Sequence, residues 1–123
     1  MIPFVTGKSS PLGPLQIFKA EFFKTLGHPV RIRILESLVS AERSVQELQS
    51  ALDLEQPLVS QHLAVLRAKK IVRARKEGTT VRYMIGVALI ADLLVIARRI
   101  FDSQLIDSQT MLRELRREGR RRS

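Results

Sequence analysis

Gln56, Ser60 and Gln61 are polar side chains, with the small Pro57 and Ala64 beside them, next to the apolar Val59, Leu63 and Leu66. A glutamine amide offers a donor and an acceptor on one plane, the pattern that pairs bidentately with adenine, and a serine hydroxyl suits either role. Helical spacing puts residues 57, 60, 61 and 64 on one face and Val59, His62, Leu63 and Leu66 on the other. An ordinary solvated face would explain that polarity if nothing else stood near it. Here the neighbours are cations.

Arg67, Lys69, Lys70, Arg73, Arg75, Lys76 and Arg82 fall within residues 67–82, where Glu77 is the lone acid. A second basic stretch, residues 113–123, sets six Arg against Glu114 and Glu118. The chain carries a formal net charge of +9, so the remainder is nearly neutral. Two basic elements on a neutral body point to a polyanion, nucleic acid ahead of an anionic membrane surface. Arg67, Arg75, Lys76, Thr79, Thr80 and Arg82 are candidate phosphate contacts, and His62 is a partly buried residue that hydrogen-bonds either the DNA backbone or its own domain. Ser60, Gln61, Gln56 and Ala64 are the candidates for base contact. Gln56 is an equal candidate for a helix cap.

Other chemistry has little to stand on. There is no Cys, which removes disulfides, thiolate metal sites and Cys nucleophiles. Ser60 and His62 leave a helix about 200° apart and cannot form a nucleophile–base pair. Thr6-Gly7-Lys8-Ser9 resembles the end of a phosphate-binding loop, but Ile2 stands where the motif needs its first Gly. No enzyme, catalytic residue, metal or cofactor is expected. The N-terminus lacks the charged start and apolar run of a signal peptide. The greasiest run, Tyr83 to Ala97, contains Asp92 and is shorter than the roughly 20 residues a span requires. A cytoplasmic protein without membrane contact is expected.

The elements that must position these residues follow from periodicity. A chain of 123 residues suits one domain. Residues 1–14 read as a mobile arm, 15–112 as the folded domain and 113–123 as an Arg-rich tail. Apolar residues at 15, 18, 22 and 26 give a first helix, which Gly27 stops. Pro29 opens a second helix with Val30, Ile34, Leu35 and Leu38 as its stripe, and His28 stabilises its start. Ser44-Val45-Gln46-Glu47 is a capping box for a third helix, and Pro57 begins a fourth. Two short helices across so tight a turn have the form of a helix-turn-helix. The period then becomes alternating on both sides of Glu77-Gly78, a β-hairpin in which Val81, Tyr83 and Ile85 face inward and Thr80 and Arg82 outward. A long last helix carries apolar residues at 89, 90, 93, 94, 97, 100, 101 and 105. That stripe is wider than one small domain covers, and a dimer would cover it.

The order of elements, with Leu26-Gly27-His28-Pro29-Val30-Arg31-Ile32-Arg33-Ile34-Leu35, resembles the ArsR/SmtB winged helix-turn-helix repressors. Val59-Ser60-Gln61-His62-Leu63-Ala64-Val65-Leu66 is similar to that family's recognition helix, and the basic hairpin ending in Arg82-Tyr83 to its wing. The resemblance implies a mostly α fold with a two-stranded β-hairpin wing, dimerising through its terminal helices. Phe18, Phe22, Leu89, Leu93, Ala97 and Ile100 are the expected dimer seam. It also implies sequence-specific repression from a near-palindromic operator in double-stranded DNA, often released by a ligand. Two departures stand out. Lys70 occupies the place where the family usually has Gly, before the apolar pair Ile71-Val72. The Cys and His ligands of metal-sensing members are missing, which leaves a small apolar ligand at the dimer seam, a partner protein, or no inducer at all. The competing reading is a sequence-independent nucleic-acid-binding or ribosome-associated basic protein. Such proteins stack bases on aromatics, and near the basic region only Tyr83 is aromatic, on the inward alternation.

Overall fold

Proline punctuates the helix starts. Pro14, Pro29 and Pro57 each sit in a first turn, where the missing N–H costs nothing and the fixed φ suits a helix. The computed structural model describes residues 12–122. The elements run α1 (Pro14–Leu26), α2 (Pro29–Ser40), α3 (Val45–Leu52), α4 (Gln56–Ala68), β1 (Val72–Glu77), β2 (Thr80–Ile85) and α5 (Leu89–Arg122). The expected arm lies largely outside the described residues, and α1 already begins at its last position, Pro14.

Local chemistry sets the boundaries. Gly27 closes α1, its N–H reaching Phe23 and Lys24 carbonyls at 2.8 and 3.2 Å. His28 caps α2, its Nδ1 accepting from the Val30 N–H at 3.2 Å. The capping box of α3 forms in both directions. Ser44 Oγ accepts from the Glu47 N–H at 3.2 Å, and Glu47 Oε1 accepts from the Ser44 N–H at 2.8 Å. Asp53 turns the chain out of α3 in the left-handed region, at φ 54°. Only three residues, 53–55, separate α3 from α4.

β1 and β2 pair antiparallel, with Val72 opposite Ile85 and Arg75 opposite Arg82. Gly78 makes the turn at φ 64°, a conformation glycine adopts without Cβ strain. Arg43, in the link between α2 and α3, exchanges backbone hydrogen bonds with Tyr83 at 3.0 and 2.8 Å and so extends the sheet beyond β2. One expectation fails here. Val81 is 36% exposed, although alternation groups it with the inward Tyr83 and Ile85. It lies close to the hairpin turn and borders an open cleft beside α4, so strand parity alone does not bury it.

Leu26, Ile34, Leu35, Leu38, Leu48, Leu52, Val59, Leu63, Leu66, Ile71 and Val72 form the buried core. Each such side chain contributes about 1.5–3 kcal/mol when fully removed from water. α2, α3 and α4 pack on one another, and the hairpin packs on all three. The Val59/His62/Leu63/Leu66 face of α4 is therefore the buried one, and the opposite face is left outward.

The chain divides into two units, and residues from 88 onward form the second. This unit is α5, a single helix that continues through residue 112 into the Arg-rich stretch without a break. Ile90 is buried, Leu93 and Ala97 are half-buried, and Leu89, Ile100, Phe101 and Leu105 are exposed. No helix among the described residues is long and apolar enough to cross a membrane.

Candidate nucleic-acid interface

α4 is held by its apolar face, so its polar residues are aimed by the core behind them. Gln61 and Ala64 are exposed and Ser60 is half-buried. Ser60, Ala64 and Arg67 follow the i, i+4, i+7 rule and form one stripe. Gln56 does not cap the helix. The N-cap is Glu55, without a side-chain cap, and Gln56 lies inside the first turn. Its Nε2 donates instead to Ser60 Oγ at 3.1 Å, so the two candidate base contacts brace one another.

Ser60 also borders two clefts. In one, of about 310 Å³, Gln46, Gln56 and Ser60 meet Thr79 and Thr80 of the hairpin. In the other, of about 440 Å³, Ser60 meets Ala64, Arg67 and Tyr83. The fold thus brings six of the candidates, Gln56, Ser60, Ala64, Arg67, Thr79 and Thr80, to adjoining surfaces of α4 and the wing. Gln61 and Lys76 border neither cleft and stand exposed, and Gln61 has no side-chain partner among the described residues.

His62 is bonded within its own domain, the second of its two expected roles. It is 6% exposed, its Nδ1 accepts from Arg31 Nε at 3.1 Å, and its ring lies 4.3 Å from that of His28. Arg31 is anchored in turn, its Nη1 donating to the Thr25 carbonyl at 3.1 Å. Burial, then the neighbouring His28 and Arg31 charges, lowers the His62 pKa from its ordinary value of 6.5. A neutral, buried imidazole already engaged by a guanidinium is a core polar residue, not a phosphate contact.

Arg75 and Arg82 are corrected in part. Directly opposite across the hairpin, two like charges would repel, and carboxylates from outside the hairpin offset them. Both Glu42 carboxylate oxygens accept from Arg75, at 2.8 and 3.1 Å, and Glu77 Oε2 accepts at 3.2 Å. Glu47 Oε1 accepts from Arg82 Nη1 at 3.1 Å, and the Glu42 carbonyl accepts from Nη2 at 3.2 Å. The Arg75 hydrogen bond lowers the Glu42 pKa, and Glu42, then Glu77, raise that of Arg75. The Ser44 N–H, aided by the Arg82 charge, lowers the Glu47 pKa. These forks are filled from within, so neither arginine is a free cation awaiting phosphate. Sequence reasoning missed Glu42 altogether and read Glu47 only as a cap. The available signal was the like-charged cross-strand pair, which requires an acid nearby.

Lys70 adopts φ 61°, the left-handed region expected for the residue in the family's Gly position. Among the described residues no group of three or more His, Cys, Asp or Glu is placed to hold a metal ion.

Residues 28–74 match the model of the bacterial regulatory protein, arsR family. The chain is 49% identical over 107 residues to the uncharacterized HTH-type transcriptional regulator Rv0081 of Mycobacterium tuberculosis, covering 86% of this chain and 94% of that one. The crystal structure of Rv0081 superposes with a TM-score of 0.74, over 78% of this chain and 97% of that one. A biofilm growth-associated repressor of Xylella fastidiosa is 39% identical over 69% of this chain and 75% of its own length. The solution structure of the homodimeric winged helix-turn-helix DNA-binding domain Mb0332 from Mycobacterium bovis has a TM-score of 0.69 at 29% identity, covering 81% and 93% of the two chains. With its helix-turn-helix, its hairpin wing and these likenesses, the chain belongs to the arsR family of bacterial regulatory proteins and is a winged helix-turn-helix, DNA-binding transcriptional regulator.

Proposed function

We propose that this chain is a homodimeric, cytoplasmic repressor of a near-palindromic operator, and not an enzyme. α4 of each protomer enters the major groove of a half-site, with Ser60, Gln61 and Ala64 toward the bases. The hairpin follows the flanking backbone, where Arg67, Lys76, Thr79 and Thr80 neutralise or hydrogen-bond phosphates. One observation carries the reading. The outward face of α4 presents Ser60, an uncommitted Gln61 and the cation Arg67, and it adjoins the Thr79 and Thr80 hydroxyls of a wing packed on the same core. The dimer runs through α1 and α5, with Phe18, Phe22, Leu89, Leu93, Ala97 and Ile100 as its seam. The homodimer named for Mb0332 and the repressor of Xylella fastidiosa support this assembly and this action.

Selection from random duplex DNA with the purified protein tests the reading. Enrichment of a two-fold symmetric sequence, with half-sites about one helical turn apart, is the expected result. Equal binding to the selected duplex, random duplex and single-stranded RNA would favour the sequence-independent alternative and overturn the proposal.

A further inference from the structure

Lys70 holds a backbone conformation that glycine adopts freely and lysine does not. The surroundings leave it no alternative. The Lys70 N–H is bonded to the Arg67 carbonyl at 2.9 Å, and the next residue, Ile71, is bonded to Leu66 at 3.0 Å. Ile71 and Val72 are buried at 2% and 1% exposure. Gly86 packs so close that a Cβ there would meet the Lys70 carbonyl oxygen at 2.5 Å. The core therefore enforces this turn, and a lysine in it bears strain. Strained positions of this kind concentrate at functional sites.

The Lys70 side chain borders a cleft of about 510 Å³ together with Arg67 and Arg73, floored by Val72, Ala74 and Gly86. All three cations are exposed, and no carboxylate pairs with any of them among the described residues. The contrast with Arg75 and Arg82, whose forks are filled, is sharp. Two guanidinium forks and one ammonium around a concave surface without an acid match a phosphate group. Arg67 borders this cleft and also the one beside Ser60 and Ala64, so the two surfaces are continuous along α4. An open cleft with exposed cations encloses a small free anion poorly, whereas a duplex is held in register by many contacts at once.

We infer that Lys70, Arg67 and Arg73 form a phosphate subsite for the backbone of the duplex that α4 reads, and that Lys70 retains its charge there at the cost of backbone strain. This inference rests on the proposed function. Its test measures DNA affinity against salt concentration for the full chain, the Lys70→Gly and Lys70→Arg variants, and a Lys19→Gln control that removes a charge from the exposed side of α1. Random duplex and the selected duplex serve as probes.

Lys70→Gly should melt a few degrees higher, because it relieves the strained φ. Its plot of log affinity against log salt should be shallower by about 0.9 per protomer, the signature of one fewer neutralised phosphate. Lys70→Arg and Lys19→Gln should keep the wild-type slope. Because the glycine variant gains stability, a binding loss in it cannot come from misfolding. A more stable Lys70→Gly protein with the wild-type slope overturns the inference and leaves the repressor reading intact. A wild type indifferent to every duplex overturns that reading as well. Inorganic phosphate that shifts the Lys70 and Arg73 resonances, with no slope change in Lys70→Gly, would assign the cleft to a free anion and overturn the duplex as its occupant.

Discussion

Gln56 and Gln61 stand five residues apart on one helix and differ in freedom. The Gln56 amide is committed to Ser60, whereas Gln61 has no side-chain partner among the described residues and can meet a base edge without breaking anything. Gln61→Ala should therefore lower the preference for operator over random duplex by about 1–3 kcal/mol, read from paired binding titrations. Equal loss on both duplexes would remove Gln61 from the base-reading set. His62 lies on the other side of the same helix, and its expected signature is pH. Its folded pKa is below the ordinary 6.5, so the folded state resists a proton that the unfolded chain accepts. The stability this provides is present above the unfolded value and declines as pH falls through it toward the folded one. The thermal midpoint should drop between about pH 7.5 and about pH 5.5. His62→Gln, which offers Arg31 an amide oxygen instead, should flatten that decline. An unchanged pH profile in the variant would show that another group titrates.

At the scale of elements, the wing is tied to the helix-turn-helix by the Arg43–Tyr83 backbone pair and by Glu42 and Glu47 on Arg75 and Arg82. Exposed ion pairs contribute little to global stability, but a bidentate network fixes geometry. Glu42→Gln should thus speed amide exchange across β1 and β2 while leaving the melting temperature of the whole protein nearly unchanged. Exchange at the wild-type rate would show that the backbone pair alone holds the hairpin. Ser44→Ala, by contrast, removes a buried cap and should cost about 1 kcal/mol in chemical denaturation. These two predictions separate what was legible in the sequence from what was not. The capping box, the His28 cap, the Gly78 turn and the buried face of α4 all depend on residues within one or two turns of each other, so spacing reveals them, whereas the special place of Lys70 comes from the family resemblance. The partners of His62, Arg75 and Arg82 are 31, 33 and 35 residues away, so spacing does not name them, and the like-charged Arg75–Arg82 pair signals only that an acid must be near. Cationic residues read as available in sequence are, in the fold, partly neutralised by acids from another element. Gln56 misled for a smaller reason. Its helix begins one residue earlier than Pro57 suggests, and that shift turns a cap into a brace.

At the scale of the whole molecule, α5 carries the longest stretch of uncovered apolar surface. Ile100 is 51% exposed, and Phe101 and Leu105 are more so, on a helix 34 residues long. Phe18 on α1 is 72% exposed. An exposed apolar stripe along α5 is the kind of surface a protein partner covers, and a second copy supplies an identical stripe by two-fold symmetry. Pairing has a functional consequence beyond burial. One protomer offers a single α4, and two linked protomers make binding of the second half-site intramolecular, which strengthens binding by roughly 10²- to 10⁴-fold without any new contact to DNA. Ile100→Asp places a charge within the expected seam and far in sequence from α4. It should convert the protein to a monomer in sedimentation and weaken the selected operator by that factor. Binding to a single half-site should remain close to that of a wild-type protomer, because the surfaces of α4 and the wing are built within residues 12–87. A monomeric variant that still binds the full operator as tightly as the wild type would separate DNA reading from dimerisation, and would leave the α5 stripe to some other partner.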